Sequence, residues 1–276
     1  MTPQSGILRK MPSKLAEPVE YQLVLNNVEL PLTPYLGKPL KLMHTGKIYC
    51  IHCGRLTKKS FNQGYCYPCF IKLAQCDTCI VKPELCHYTA GTCREPQWGE
   101  QHCMQPHVVY LANSSTLKVG ITRQGQIPTR WIDQGAVAAL PILKVQSRYL
   151  SGLMEVAFKD HVADKTNWQQ MLKSEAAPID LAAERDLLLP QVEDAFRDLR
   201  HRFGDNAVEL LPEAQVVYIR YPVLTYPSKV KSLSFDKEPV VEGVLEGIKG
   251  QYLLFDTGVI NIRKFGGYEL EFSGVP

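Results

Sequence analysis

The sequence has little that would place it in a membrane. No run of apolar residues reaches the roughly 18 that a bilayer-spanning helix needs, and the first twenty residues contain no apolar core of signal-peptide length. A hydrophobic content of 45% and a charged content of 21% are typical of a soluble globular protein. We therefore expect a cytoplasmic protein, and 276 residues are enough for two or three compact units.

Cysteine is absent outside one segment of the chain. All nine cysteines lie between Cys50 and Cys103. Cytoplasmic thiols stay reduced, so cysteines gathered in this way indicate metal sites rather than disulfides. Residues 49–107 also lack the hydrophobic periodicity of an ordinary core, and bound metal would hold such a segment together.

Acidic residues are missing from a long basic stretch. From Leu30 to Cys76 there are seven Lys or Arg residues and no Asp or Glu. From Val108 to Tyr149 five basic residues accompany one acidic residue, whereas from Leu150 to Ala214 thirteen acidic residues face seven basic ones. The basic half predicts contact with phosphate, and nucleic acid is the expected partner. The alternative to nucleic-acid binding is that these basic residues only form a solvated surface.

The first cysteine cluster has the spacing of a structural zinc site. Two Cys-x2-Cys pairs twelve residues apart bring four thiolates around one tetrahedral ion. Such a closed site has no open coordination position, so we assign it no catalysis. The loop between the pairs offers basic and aromatic groups to a nucleic-acid backbone. The predicted ligands are Cys50, Cys53, Cys66 and Cys69, and the loop contacts are Arg55, Lys58 and Lys59.

A second zinc site is expected in the cysteines that follow. A Cys-x3-His pair near the end of the segment has the spacing of a helical or turn-borne pair of ligands, and two other cysteines would complete the site. Spacing alone does not decide which two. His87 and His102 are interpreted as surface histidines. The preferred ligands are Cys79, Cys86, Cys103 and His107, with Cys76 and Cys93 as alternates.

Hydrophobic patterning predicts an α+β protein made of five segments. A hairpin with its turn at Asn26-Asn27 opens the chain, and Pro190 interrupts a mostly helical region. The segments are an N-terminal β unit (1–48), a Cys-rich zinc-ribbon segment (49–107), an α/β domain (108–173), a helical segment (174–213) and a small, barrel-like C-terminal β unit (214–276).

The α/β segment carries the residue types of a phosphodiester hydrolase. Such an enzyme needs a carboxylate for a divalent ion, a cation for the phosphate oxygens and a group that activates water. Tyr110 lies on the first predicted strand, Lys118 on the second, Arg130 on the following helix and Glu155 on the next. The alternatives are structural: a packed tyrosine, a solvated lysine, or an ion pair between Arg130 and Asp133.

The same stretch resembles the GIY-YIG nuclease fold. The similar motifs are "VVYLANSSTLKVGIT", "TRW" and "GLMEVAF". The resemblance matches Tyr110 to the first tyrosine, Gly120 to the glycine of the second motif, Arg130 to the arginine and Glu155 to the metal-binding glutamate. It implies a Mg²⁺- or Mn²⁺-dependent nuclease with Arg123 and Arg130 among its nucleic-acid contacts. Two departures are "VVY" in place of the Gly-Ile lead and lysine in place of the second tyrosine, where it would bind phosphate or act as a base.

Over most of its length the chain resembles the bacterial DUF2797 family. The motifs that carry this resemblance are "CIHCGRLTKKSFNQGYCYPCF", "PELCHY", "LKVGITR", "PTRWIDQGA" and "ADKTNW". That family has no assigned activity, so the resemblance implies an architecture only. Two alternatives to a nuclease stay open. One is a zinc-ribbon protein that binds DNA or RNA without cutting it, and the other is a regulatory protein that acts through protein contacts of its acidic helical region.

Overall fold

Antiparallel sheets organise the protein in its computed structural model, which describes residues 4–162 and 167–275. The mixed α+β class predicted from the sequence is confirmed. The first four residues of the "ADKTNW" motif, at 163–166, lie outside the described residues. The strands are β1 (Gln4–Ile7), β2 (Ser13–Lys14), β3 (Glu20–Leu25), β4 (Val28–Pro31), β5 (Pro39–Tyr49), β6 (Leu56–Thr57), β7 (His107–Asn113), β8 (Leu117–Arg123), β9 (Ala138–Val145), β10 (Val208–Leu210), β11 (Val217–Tyr218), β12 (Val240–Lys249), β13 (Tyr252–Phe255), β14 (Gly258–Asn261) and β15 (Tyr268–Gly274).

The helices are short, and polar side chains cap several of them. Ser147 accepts a hydrogen bond from the backbone N–H of Leu150 (3.4 Å), and Asp180 accepts one from Ala182 (3.1 Å). Within the described part of the chain, no helix is both long and apolar enough to cross a bilayer. The α-helices are α1 (Tyr67–Lys72), α2 (Pro96–His102), α3 (Thr129–Asp133), α4 (Arg148–Lys159), α5 (Trp168–Lys173), α6 (Leu181–Leu188) and α7 (Glu193–Phe203), and 3-10 turns lie at Thr33–Tyr35, Ala74–Cys76, Thr78–Ile80, Pro83–Leu85, Gln124–Gln126, Leu189–Val192, Asp205–Ala207 and Ile262–Phe265.

Strands from both ends of the chain form one large β sheet of seven strands. Their order is β1-β15-β5-β12-β13-β14, with β6 beside β5. Leu42 on β5 lies opposite Phe272 on one side and Val241 on the other. The sequence predicts separate β units for residues 1–48 and 214–276, whereas the structure joins them. Hydrophobic alternation marks each strand locally but contains no information about which distant strand it pairs with, so this joining is invisible in the sequence.

The predicted α/β elements are present around a second sheet, ordered β10-β9-β7-β8 with β11 beside β9. The two strands flanking the polar turn are β7 and β8, the third is β9, and the amphipathic helix that follows is α4. β10 and β11 extend this sheet along β9, so it draws on residues beyond 173. The helical region is interrupted at Pro190 as predicted, since α6 ends at Leu188 and α7 begins at Glu193.

β7 separates two hydrophobic cores, and each of its residues is buried. Successive side chains of a strand point to opposite faces of the sheet. Tyr110 and Ala112 therefore join the core of the large β sheet, while Val109 and Leu111 join a core covered by α4, α6 and α7. This alternation places Tyr110 in the core shared with the N- and C-terminal strands, where its ring packs edge-on against Trp131 of α3.

The Cys-rich segment packs directly on α4. A Cβ atom at Gly152 would lie 2.5 Å from the backbone N of Glu84 and 2.6 Å from Cβ of Pro83. At the start of the same helix, the backbone N–H of Arg148 donates to Cys103 O (2.8 Å), and its guanidinium donates to Ile80 O. The absence of a side chain at residue 152 therefore lets the two backbones approach each other.

Replacing Gly152 by alanine is expected to lower the free energy of unfolding by about 1–3 kcal/mol, because the new methyl group must push the Cys-rich segment off the helix. Urea unfolding followed by circular dichroism measures this. The matched control is Gly125→Ala, since a Cβ at Gly125 meets no atom within 4 Å. Equal midpoints for the two variants would contradict the close packing of α4.

Candidate functional site

A basic cleft of about 620 Å³ lies where the β10-β9-β7-β8 sheet, the Cys-rich segment and the large β sheet meet. Its volume is in the range of pockets that bind small molecules or a nucleotide, about 300–1,000 Å³. Two acidic side chains, Asp133 and Glu155, line it. The basic side chains that line it are Arg9, Lys10, Arg123, Arg130, Arg148 and Arg263. Their excess of positive charge makes the cleft suited to an anionic ligand.

The four residues predicted as catalytic come together at this cleft. Arg130 and Glu155 line it, and both interact electrostatically with the Tyr110 phenol. Tyr110 and Lys118 lie behind the cleft wall, 0% and 2% exposed. Lys118 is therefore buried rather than a solvated strand residue. The proximity of the four is a property of the fold, whereas the catalytic role of each stays a prediction.

A glutamine that the sequence did not single out connects two of these residues. Gln134 Oε1 accepts hydrogen bonds from Tyr110 Oη (2.8 Å) and from Lys118 Nζ (2.9 Å), and Gln134 also lines the cleft. Because its oxygen is held by two donors, its amide Nε2 is the polar group it offers to a ligand. A neutral polar residue just after a short helix has no local signal of function, which is why the sequence missed it.

Gly120 makes room for the tyrosine. It lies opposite Tyr110 in the β7–β8 ladder, and a Cβ at Gly120 would lie 2.7 Å from Tyr110 Oη. Burial raises the pKa of Tyr110 to about 12, against the opposing effect of Arg130. The phenol therefore keeps its proton at neutral pH and acts as a hydrogen-bond donor rather than as a base.

The sequence offered an Arg130–Asp133 ion pair as the alternative role of Arg130, but Asp133 contacts two other residues. Its carboxylate forms an ion pair with Lys10 Nζ (2.5 Å) and accepts a hydrogen bond from Gln251 Nε2 (2.9 Å). Both partners lie outside residues 108–173, in the N- and C-terminal parts of the chain that form the large β sheet, which packs against α3 here. The pairing therefore holds the two sheets together at the edge of the cleft.

The basic residues predicted to contact nucleic acid fall into two groups. Arg123 and Arg130 line the cleft. Arg55, Lys58 and Lys59 are exposed in the loop between the first Cys pairs and do not line it. The other cleft cations, Arg9, Lys10, Arg148 and Arg263, come from segments far apart in the chain, and only the fold brings them together.

The first cysteine cluster has the geometry of a metal site. The sulfur atoms of Cys50, Cys53, Cys66 and Cys69 all lie within 4.8 Å of one another. Burial opposes ionisation of Cys50, but hydrogen bonds from the backbone outweigh it and lower the pKa of that thiol to about 6. Four thiols converging in this way can bind zinc in a closed tetrahedral site.

Four of the five remaining cysteines line a second, much smaller cavity of about 10 Å³. Three of the preferred ligands, Cys79, Cys86 and Cys103, line it together with Cys93. His107, by contrast, does not line the cavity. It begins β7, and its ring is buried with Nδ1 2.7 Å from Gln105 O. The predicted Cys-x3-His pair assumes a continuous turn, whereas His107 is the first residue of β7, and its buried Nε2 has no hydrogen-bond partner among the described residues.

The histidines interpreted as surface residues have defined contacts. His87 Nε2 lies 3.5 Å from Asp77 Oδ2, and these two residues with Cys79 form a further group whose candidate ligand atoms are all within 4.8 Å. His102 stacks on Trp98 with ring centroids 4.1 Å apart. A second metal therefore has two overlapping sets of candidate ligands, one made of thiols and one mixed.

Comparison with known proteins matches residues 37–270 to a family model described as a protein of unknown function, DUF2797. The chain belongs to the DUF2797 family. The part matched includes both cysteine clusters and all the residues that line the cleft except Arg9 and Lys10. No curated protein and no solved structure matches the chain. The resemblance to DUF2797 is therefore confirmed, and the GIY-YIG resemblance is not.

Cys53→Ser is expected to remove about one zinc ion per chain, since a tetrahedral site that loses a thiolate binds zinc far more weakly. Elemental analysis of the purified protein measures the loss. The control is Cys76→Ser, because Cys76 belongs to neither group of converging ligand atoms nor to the small cavity. Unchanged zinc in Cys53→Ser would argue against metal at this cluster.

Proposed function

We propose that this DUF2797 protein cleaves phosphodiester bonds of nucleic acid in the basic cleft. The observation that supports the proposal is that Arg130 and Glu155 line one cleft in which cations outnumber carboxylates, with Tyr110 and Lys118 hydrogen-bonded to a third lining residue, Gln134. The resemblance to GIY-YIG nucleases adds to it, because that family uses a tyrosine, an arginine and a glutamate at the matching positions.

Glu155 is the residue that would bind a divalent ion. The Glu155 side chain lines the cleft, is 15% exposed and lies 3.9 Å from Lys159 Nζ. Mg²⁺ keeps several waters and commonly binds proteins through one or two carboxylates, so a single glutamate on the cleft wall fits it. When bound, such an ion polarises the phosphate and lowers the pKa of a coordinated water.

The other residues bind and orient the phosphate. Arg130 offers a planar pair of N–H donors to the phosphate oxygens. Gln134 lines the cleft, and because its oxygen is held by Tyr110 and Lys118, its amide nitrogen is the donor left for a phosphate oxygen. Tyr110 keeps its proton and fixes this glutamine. Lys118 contributes positive charge from behind the wall, where low solvent exposure strengthens its attraction for phosphate.

The size of the cleft favours a single-stranded substrate. A cavity of about 620 Å³ accommodates about one nucleotide with its flanking phosphates, which a base-paired strand does not present separately. We therefore expect cutting at single-stranded regions or ends.

Binding without cleavage is the second candidate. Lys118 stands where the resembling nucleases have tyrosine, and the exposed loop of Arg55, Lys58 and Lys59 offers an additional contact surface. Lys59 Nζ lies 5.3 Å from the centroid of the Phe61 ring, which places a cation beside a half-buried loop aromatic. In this case the cleft binds phosphate but lacks the chemistry to hydrolyse it.

The test of catalysis is cleavage of labelled single- and double-stranded DNA and RNA with Mg²⁺ or Mn²⁺. We expect metal-dependent cutting of single strands that falls by at least about 100-fold in Glu155→Gln. Glu209→Gln is the matched control, because Glu209 is an exposed residue outside the cleft. No cutting by the wild type alongside retained binding would favour the binding candidate, and full activity of Glu155→Gln would exclude this residue as the metal ligand.

The test of the cleft as the binding surface is the salt dependence of affinity. Arg123→Gln is expected to weaken binding equally for all sequences and to reduce the slope of log K against log salt by about 1, because one phosphate contact is lost. Arg55→Gln measures the contribution of the loop between the first Cys pairs, which does not line the cleft. Arg197→Gln, at an exposed position of α7 outside the cleft, should change nothing. A larger effect of Arg55→Gln than of Arg123→Gln would move the main contact to the loop.

A further inference from the structure

We propose that Cys79, Cys86, Cys93 and Cys103 form a second, all-cysteine zinc centre that fastens the Cys-rich segment to the wall of the cleft. All four line the same small cavity. Its volume of about 10 Å³ is roughly that of one water-sized sphere, so it has room for a single ion. Their four sulfur atoms are not all within 4.8 Å of one another as those of the first cluster are, so a tetrahedral zinc ion would draw the thiolates inward around this space.

The four cysteines reach the cavity from separate short elements. Cys79 lies in the 3-10 turn Thr78–Ile80, Cys86 follows the turn Pro83–Leu85, and Cys103 caps the C-terminus of α2. Burial, together with the proximity of Asp77, Cys86 and Cys103, raises the pKa of the Cys79 thiol to about 11. None of these turns has a hydrophobic core of its own, which is the situation that bound metal commonly resolves.

Cys93 is the ligand that the spacing of the sequence did not select. Its sulfur would lie 3.4 Å from a Cβ at Gly99, on α2. Gly99 is one helical turn before Cys103, so both cysteines lie along the same part of α2. Burial raises the pKa of the Cys103 thiol, and the proximity of Cys86 and Cys93 adds to this effect. The glycine allows the loop that carries Cys93 to approach the helix.

The mixed group of Asp77, Cys79 and His87 is a weaker site for a metal. Asp77 Oδ2 forms an ion pair with Arg94 Nε at 2.7 Å, so an incoming cation would face a guanidinium. Both ring nitrogens of His87 have partners, with Nε2 3.5 Å from Asp77 Oδ2 and Nδ1 2.7 Å from Thr92 Oγ1. These residues form a hydrogen-bonded network beside the cavity, and the thiols remain as the ligands.

The centre would connect the metal to the cleft through Arg148. Four thiolates and one Zn²⁺ have a formal charge of −2, which a neighbouring cation stabilises. Arg148 interacts electrostatically with both Cys103 and Cys79, and its guanidinium donates to the carbonyl of Ile80, next to Cys79. Arg148 and Ile80 both line the cleft. Loss of this metal would therefore loosen the cleft wall formed by the Cys-rich segment.

The experiment uses the full chain and counts metal by elemental analysis, with Co²⁺ as the spectroscopic probe. The wild type should bind about two ions, and Cys93→Ser about one. The ion that Cys93→Ser retains should disappear in the Cys53→Ser/Cys93→Ser double variant. That result would assign the retained ion to the first site and show that Cys93→Ser still folds around it. Cys76→Ser and His87→Gln should keep both ions. Intensity of thiolate-to-cobalt charge transfer should fall by about half in Cys93→Ser.

A second variant guards against a general failure to fold. Histidine is also a good zinc ligand, so Cys93→His should retain two ions while its cobalt spectrum changes from four thiolates to three thiolates and one imidazole at one site. One ion per chain in the wild type would overturn the proposal. So would loss of an ion in His87→Gln together with retention of both in Cys93→Ser, which would assign the metal to the mixed group.

Discussion

The burial of β7 on both of its faces is the constraint on which the rest of the structure depends. One set of alternate side chains closes the core under α4, and the other set enters the core shared with the large β sheet. A strand covered on both faces has little freedom of register, because a slip by one residue would exchange the two sets. Fixed register places Tyr110 opposite Gly120 and Ala112 opposite Lys118. The polar residues behind the cleft are therefore positioned by apolar packing on either side of them.

The same arrangement explains why some features were predictable from the sequence and others were not. Alternation and turn chemistry identify β3 with β4, β7 with β8, and α4, since each is determined by neighbouring residues. Regular Cys-x2-Cys spacing identifies the first metal cluster for the same reason. The insertion of β5 between β12 and β15, the lining of the cleft by Arg9 and Arg263, and the place of Cys93 beside Gly99 depend on contacts between distant segments. No local pattern encodes these contacts.

The electrostatics of the cleft point to an anionic ligand independently of any resemblance. Burial lowers the pKa of Arg148 and of Arg263, which means that their charged forms are partly deprived of water. Asp133 compensates Lys10, and Glu155 is the remaining carboxylate on the wall. Desolvated cations that outnumber their partners are costly in the empty protein. A ligand with several negative oxygens would offset this cost when it binds, so the cleft is better matched to a phosphate chain than to a neutral molecule.

Lys118 bears most directly on what the cleft does with that ligand. A lysine placed only for solubility would lie at the surface, whereas this one is 2% exposed and shares the oxygen of Gln134 with Tyr110. Its ammonium group has three donors and no acceptor, so it orients an acceptor rather than supplying one. A tyrosine at the same position would offer one donor without a charge. The lysine therefore holds Gln134 by a hydrogen bond and can also bring a positive charge to the cleft wall. If phosphate binds as proposed, that charge strengthens binding of the ground state, and it increases catalysis only if charge on the phosphate oxygens grows in the transition state.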